Sequence, residues 1–140
     1  MSNKKEIEVY DNVIKLDLHR TPEFDTLSHH EFCNIYNGYG PDGWPPWARS
    51  MMTWVYRHFK ELAAVHDVGY DFSDGTLKGW HHTCKNWKLN SSILLSVVYP
   101  VRKFWLLPFR SVAWCKLRAS YRVLVKFSYP FYRDCKVGTK

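Results

Sequence analysis

The chain has 140 residues, 46% of them hydrophobic and 17% aromatic, with seven tryptophans. That is enough for one domain with its own core, and it excludes intrinsic disorder as the ground state. The net charge of +7 is unevenly placed: residues 1–74 hold seven basic and twelve acidic side chains, residues 75–140 thirteen basic and one acidic. Between Asp74 and Asp134 there is no carboxylate at all. Such a polarised chain suits either a solvated basic face or a surface for an anionic partner.

Met1-Ser2-Asn3-Lys4-Lys5 leads into charged sequence rather than a secretory leader, so synthesis in the cytoplasm is expected. Cys33, Cys84, Cys115 and Cys135 are scattered without a C-x-x-C or zinc spacing, which predicts reduced thiols. From Ile7 to Leu18 apolar and polar residues alternate around Asp11-Asn12, a pair that tolerates positive φ. This predicts an N-terminal β-hairpin within residues 1–20. Residues 19–46 are rich in turn formers and predict a loop, with a short helix near Glu31 to Ile35.

From Pro46 the pattern becomes helical. Trp47, Met51, Trp54, Val55, Phe59, Leu62, Ala63 and His66 recur at three- and four-residue steps. They predict one helix with that face buried, started by Pro45-Pro46 and ended at Gly69. His66 then lies on the buried face, with Asp67 turned away and Tyr70 over the imidazole. Further helices are predicted at 77–99 and 109–127. The apolar run from Ile93 to Leu107 is broken by Pro100, Arg102 and Lys103. It is therefore expected to be core helix plus a bend rather than a membrane span, which needs ~20 apolar residues.

The chemistry-bearing residues concentrate in two places. One is the glycine-punctuated Asn37-Gly38-Tyr39-Gly40-Pro41-Asp42-Gly43-Trp44; the other is Phe59-x-x-x-Ala63-x-x-His66-Asp67-x-Gly69-Tyr70. Together they resemble the secreted phospholipase A2 superfamily, especially its small bacterial and bacteriophage members. Arg118-Ala119-Ser120-Tyr121-Arg122 is similar to the C-terminal helix of phage members. The resemblance covers about residues 36–125. It implies a mainly α fold with a calcium-loop-like turn, two antiparallel core helices and a basic C-terminal helix. Residues 36–100 would form the core and 101–140 a basic aromatic extension.

The resemblance also implies roles. His66 would be the general base that activates water against the sn-2 ester of a phospholipid. Asp67, with backbone carbonyls of Tyr39, Gly40 and Asp42, would ligate Ca²⁺, a cation that takes about six to eight oxygens. The cation would stabilise the oxyanion. Tyr70 would hydrogen-bond a second aspartate that orients the histidine. That aspartate is missing: the matching window, Trp80 to Asn90, offers Cys84, Lys85 or Asn86 instead. In the serine-protease template, replacing the orienting Asp by Asn costs about 10⁴ in kcat. Asn86 would orient His66 without charge, so hydrolysis is expected to be weakened or lost.

Two other functions fit the residues. Leu62-Ala63-Ala64-Val65-His66-Asp67-Val68-Gly69 also resembles the core of HD-domain metal-dependent phosphohydrolases, with His29, His30, His81 and His82 as further candidate ligands. Alternatively, the chain is a non-enzymatic structural or docking component of a membrane-associated or virion assembly. Its residues 100–140 would then meet anionic phospholipid or an acidic protein surface. Aromatics among cations also suit single-stranded nucleic acid, but no nucleic-acid motif is present.

Overall fold

The structure, a computed structural model, describes residues 4–36 and 45–135. Seven α-helices run through them: α1 (Lys4–Lys15), α2 (His29–Ile35), α3 (Pro46–His58), α4 (Lys60–Asp71), α5 (Leu77–Val98), α6 (Leu107–Phe127) and α7 (Tyr129–Asp134). Short 3-10 helices at Pro22–Thr26 and Phe104–Leu106 complete the order. The described residues contain no strand, and the fold is mainly α.

The expected N-terminal hairpin is a helix. Val9 and Val13, four residues apart, form its buried stripe, and the alternation at 7–10 is too short to outweigh that helical spacing. Asp11 and Asn12 use their side chains instead of forming a turn. Asp11 pairs with His29 of α2 at 3.2 Å, and Asn12 Nδ2 donates to Glu61 Oε1 of α4 at 3.0 Å. The reversal comes later. Asp17 adopts φ 48°, Leu18 N–H donates to the Val13 carbonyl and Asp17 N–H to that of Ile14. This is a Schellman ending closed by buried Val13 and Leu18.

The predicted loop at 19–46 contains the first 3-10 helix and α2, whose start is fixed by a reciprocal Ser28–Glu31 capping box. An aromatic cluster seats this segment on α1. Tyr10 stacks on Phe24 at 5.1 Å and meets Phe32 edge-on, while its hydroxyl donates to the Leu27 carbonyl at 3.1 Å.

The helix expected from Pro46 to Gly69 is two helices, divided at Phe59, whose φ −133° and ψ 64° leave helical space. The buried stripe of α3 is also shifted by one residue from the expected one, to Ala48, Met52, Val55 and Tyr56. These bring α3 against α6 with its indoles at the flanks. Trp47 is exposed and edge-on to Phe127, and Trp54 lies under the Lys116 ammonium at 4.8 Å.

Helix α4 packs against α1, α2, α3, α5 and the first 3-10 helix. Eight of its twelve residues are buried, among them Ala63, Ala64 and Gly69. Gly69 does not end the helix. A Cβ there would lie 3.1 Å from Thr83 Cγ2, so the glycine permits close approach of α5.

The long α5 and α6, of 22 and 21 residues, form an antiparallel pair, each ~30 Å long. Rungs of hydrogen bonds cross it: Trp80 Nε1 donates to Ser128 Oγ at 2.8 Å and Trp87 Nε1 to Ser120 Oγ at 3.1 Å. Each serine hydroxyl donates onward to a carbonyl of its own helix, Leu124 and Leu117, so these buried groups are satisfied. At the other end Arg110 Nη1 donates to the Tyr99 carbonyl at 2.8 Å, covering the carbonyl end of α5. Ala113, Leu117, Val123 and Leu124 of α6 belong to the core.

Replacing Ser120 by Ala strands the buried Trp87 N–H. We expect a loss of about 1–3 kcal/mol in urea unfolding, and less than additive loss when Trp87→Phe is combined with it. An unchanged midpoint would remove this rung from the stabilising contacts.

Candidate functional site

The His66 cluster is held between α4 and α5. Its imidazole is only 8% exposed and lies between two rings, Tyr70 at 4.1 Å and Trp87 edge-on at 5.3 Å. The expected meeting of His66 with the 80–90 segment is present. Thr83, Asn86, Trp87 and Asn90 line, with His66 and Thr21, an enclosed cavity of about 10 Å³. That is room for about one water-sized group.

The sequence-predicted residues divide. Asn86 shares the cavity with His66, whereas Lys85 is exposed and turned away. Cys84 is buried on another face, where burial pushes its thiol up to about 11 and Ser128 is its hydrogen-bonding neighbour. Tyr70 does not reach an aspartate: its hydroxyl donates to the Ser128 carbonyl at 3.4 Å, and burial holds it far above the ordinary tyrosine range. Tyr39, Gly40 and Asp42, with the rest of the calcium-loop-like turn, lie outside the described residues.

Asp67 is the carboxylate beside the imidazole, Oδ1 standing 3.5 Å from His66 Nδ1. The pair is within ion-pair reach but outside hydrogen-bond geometry, and both ring nitrogens are buried without a hydrogen-bond partner among the described residues. Oδ1 accepts instead from the Tyr56 hydroxyl at 2.8 Å, while Oδ2 is buried and unpartnered. Burial pushes the Asp67 carboxyl above the usual carboxylate range, against smaller opposing effects of His66 and Tyr56. Burial, with Asp67 beside it, holds Tyr56 well above its ordinary value too.

As a ligand set this fits a hard cation in one respect. Asp67 Oδ2 offers a free oxygen, of a type Ca²⁺ takes. Among the described residues no three His, Cys, Asp or Glu side chains converge. The candidate phosphohydrolase ligands are apart from His66 in setting, since His29, His30, His81 and His82 are exposed. Other acids are engaged elsewhere. Asp74 accepts from Thr76 and from the Tyr132 hydroxyl, and Asp134 pairs with Arg133.

A second site was not legible as one. The run from Ile93 to Leu107, expected as core helix plus bend, exposes most of its later apolar side chains. Val97 and Val98 at the end of α5 are exposed, and in the turn Val101 is 61% and Phe104 72% exposed. Trp105 stands edge-on to Phe104 with rings 5.4 Å apart, and Leu107, Phe109 and Val112 continue the patch onto α6. Arg102 and Lys103 are exposed among them. The available signal was the breaking of an apolar run by Pro100, Arg102 and Lys103 in a segment without acids. No described helix is long and apolar enough to cross a membrane.

No family model, no curated protein and no solved structure matches this chain.

The Asp67 shift has a defined consequence. The folded pKa lies above the unfolded one, so the stability it contributes is full below the unfolded carboxylate range. It is lost as pH rises through the folded value. Asp67→Asn keeps an acceptor for Tyr56 without the charge. Its melting temperature, measured from pH 4 upward, is expected to gain on wild type as pH rises (roughly the carboxylate range and just above it). A parallel pair of curves would show that Asp67 ionises without penalty.

Proposed function

We propose that this protein is a non-enzymatic docking module that attaches to anionic phospholipid surfaces through the α5–α6 turn. The observation that carries the reading is the exposed Val101, Phe104, Trp105 and Phe109 beside Arg102 and Lys103, in a stretch of sequence without a carboxylate. Contiguous exposed apolar groups mark interaction sites. Trp and Phe combined with Lys and Arg match the boundary between headgroups and acyl chains. Each cation near an anionic bilayer contributes about 1 kcal/mol. An acidic protein would account for the charge alone, whereas the bilayer also accounts for the aromatic tip. Among the described residues the cavity beside His66 measures about 10 Å³, room for about one water.

Co-sedimentation with phosphatidylglycerol-containing vesicles is expected to show binding that weakens as salt rises. Phe104→Ser with Trp105→Ser should lower it at least ~10-fold, as loss of two inserted rings implies. Arg102→Ala with Lys103→Ala should lower the preference for anionic over neutral vesicles. Equal binding by both variants and wild type, with helicity preserved, would refute the proposal.

Calcium-dependent ester hydrolysis is the second reading, favoured by the unpartnered His66 nitrogens and Asp67 Oδ2. Release of sn-2 fatty acid from the same vesicles, dependent on Ca²⁺ and lost in His66→Ala, would establish it and displace the non-enzymatic one. We expect no release.

A further inference from the structure

The α5–α6 pair leaves a cleft that begins about one helical turn before the end of α5, at Leu95, and runs back to Lys88. Its volume is about 370 Å³, within the range of small-ligand sites. Leu95 and Leu117 form a buried floor, and Trp114 and Tyr121 form walls. Three cations ring it: Lys88 from α5, Arg118 and Arg122 from α6.

We infer that this cleft holds one molecule of an amphipathic phosphate, a phospholipid whose headgroup phosphate meets Lys88, Arg118 and Arg122 and whose acyl chain lies over Leu95 and Leu117. The inference rests on the membrane-docking reading and names what the docked protein grips.

Charge complementarity selects the anion. The chain has no acid between Asp74 and Asp134, and among the described residues none of the three cations is ion-paired to a carboxylate. Two are steadied by the walls. The Arg118 guanidinium lies 5.1 Å from the Trp114 ring centre and the Lys88 ammonium 5.8 Å from that of Tyr121. A stacked guanidinium retains its outward N–H groups for phosphate oxygens. The exposed Ser92 adds a hydroxyl at the rim.

The order of groups along the cleft matches a lipid's own polarity. Leu95 and Trp114 lie at the end nearest the tip, and Lys88 and Arg122 at the far end. Lys88 stands twelve residues before Pro100, ~18 Å along the helix. With the tip sunk ~5–10 Å into the headgroup–acyl boundary, Lys88 and Arg122 stand at or above headgroup level and Leu95 nearer the acyl chains. Lipid and cleft then point the same way.

The test is calorimetric titration of the full chain with three probes: dihexanoyl phosphatidic acid below its micelle concentration, inorganic phosphate, and octyl glucoside. The phosphatidic acid is expected to bind at least tenfold tighter than either of the others. Arg118→Gln with Arg122→Gln should weaken it tenfold or more, and Ser92→Trp, which fills the cleft without removing a cation, should do the same. Phe104→Ser with Trp105→Ser should leave this monomer binding intact while losing vesicles, which separates the cleft from the tip. Inorganic phosphate binding as tightly would reduce the cleft to a simple anion site. Octyl glucoside binding as tightly would reduce it to an apolar groove, and indifference to the arginine variants with helicity preserved would overturn the inference.

Discussion

Everything in this fold is arranged around a helix with almost no solvent-facing side. Helix α4 is buried over most of its circumference, which requires partners on nearly every side. Ala63, Ala64 and Gly69 make that possible by letting neighbouring backbones approach. The division at Phe59 follows from the same demand. A single straight helix from Pro46 would carry α3 past α6 and could not place both α3 and α4 against the core.

Burial of α4 also explains the condition of its polar passengers. His66 and Asp67 would be solvated on a surface helix. Here the imidazole is boxed by Tyr70 and Trp87, and the carboxyl is held by Tyr56 while burial favours its protonated form. The two groups resemble a catalytic pair in sequence, and among the described residues His66 borders a polar cavity with room for about one water-sized group. Asn90, fully buried beside it, clamps both backbone groups of His19 at 2.7 Å and ties the α1 ending to α5. Such fully paired amides specify one arrangement of a core, because a shifted arrangement would strand them.

The α5–α6 pair divides its polar chemistry by face. Inward, tryptophan N–H groups end on serine hydroxyls, which donate in turn to backbone carbonyls of α6. Outward, cations stand on aromatic rings, and at the tip Val101, Phe104, Trp105 and Phe109 are exposed. The rungs along the pair and Arg110 across the α5 ending hold the two helices in register. That keeps cleft and tip at a fixed separation along the pair.

Several elements were legible in the residues themselves. Thr76 before Leu77 and the prolines at 45 and 46 mark helix starts by local chemistry, and sustained periodicity marked the long helices at 77–98 and 107–127. The short helix near Glu31 was readable because Ser28 and Glu31 satisfy each other's backbone neighbours. The hairpin at Asp11-Asn12 was misread because four alternating residues are compatible with either period, and the deciding contacts come from α2 and α4. Local pattern likewise put the indoles of α3 in the core, where Ala48 and Met52 sit instead.

By itself the sequence determined the two long helices after residue 76 and the separation of acidic and basic halves, since these depend on side-chain period and on charge. It could not determine whether an apolar residue has a neighbour to cover it. Packing around α4 decided that His66 is enclosed, and the length of the α5–α6 pair decided that Phe104 and Trp105 are not. Both outcomes reflect how many elements surround a position, a property of the assembled fold and not of the chain.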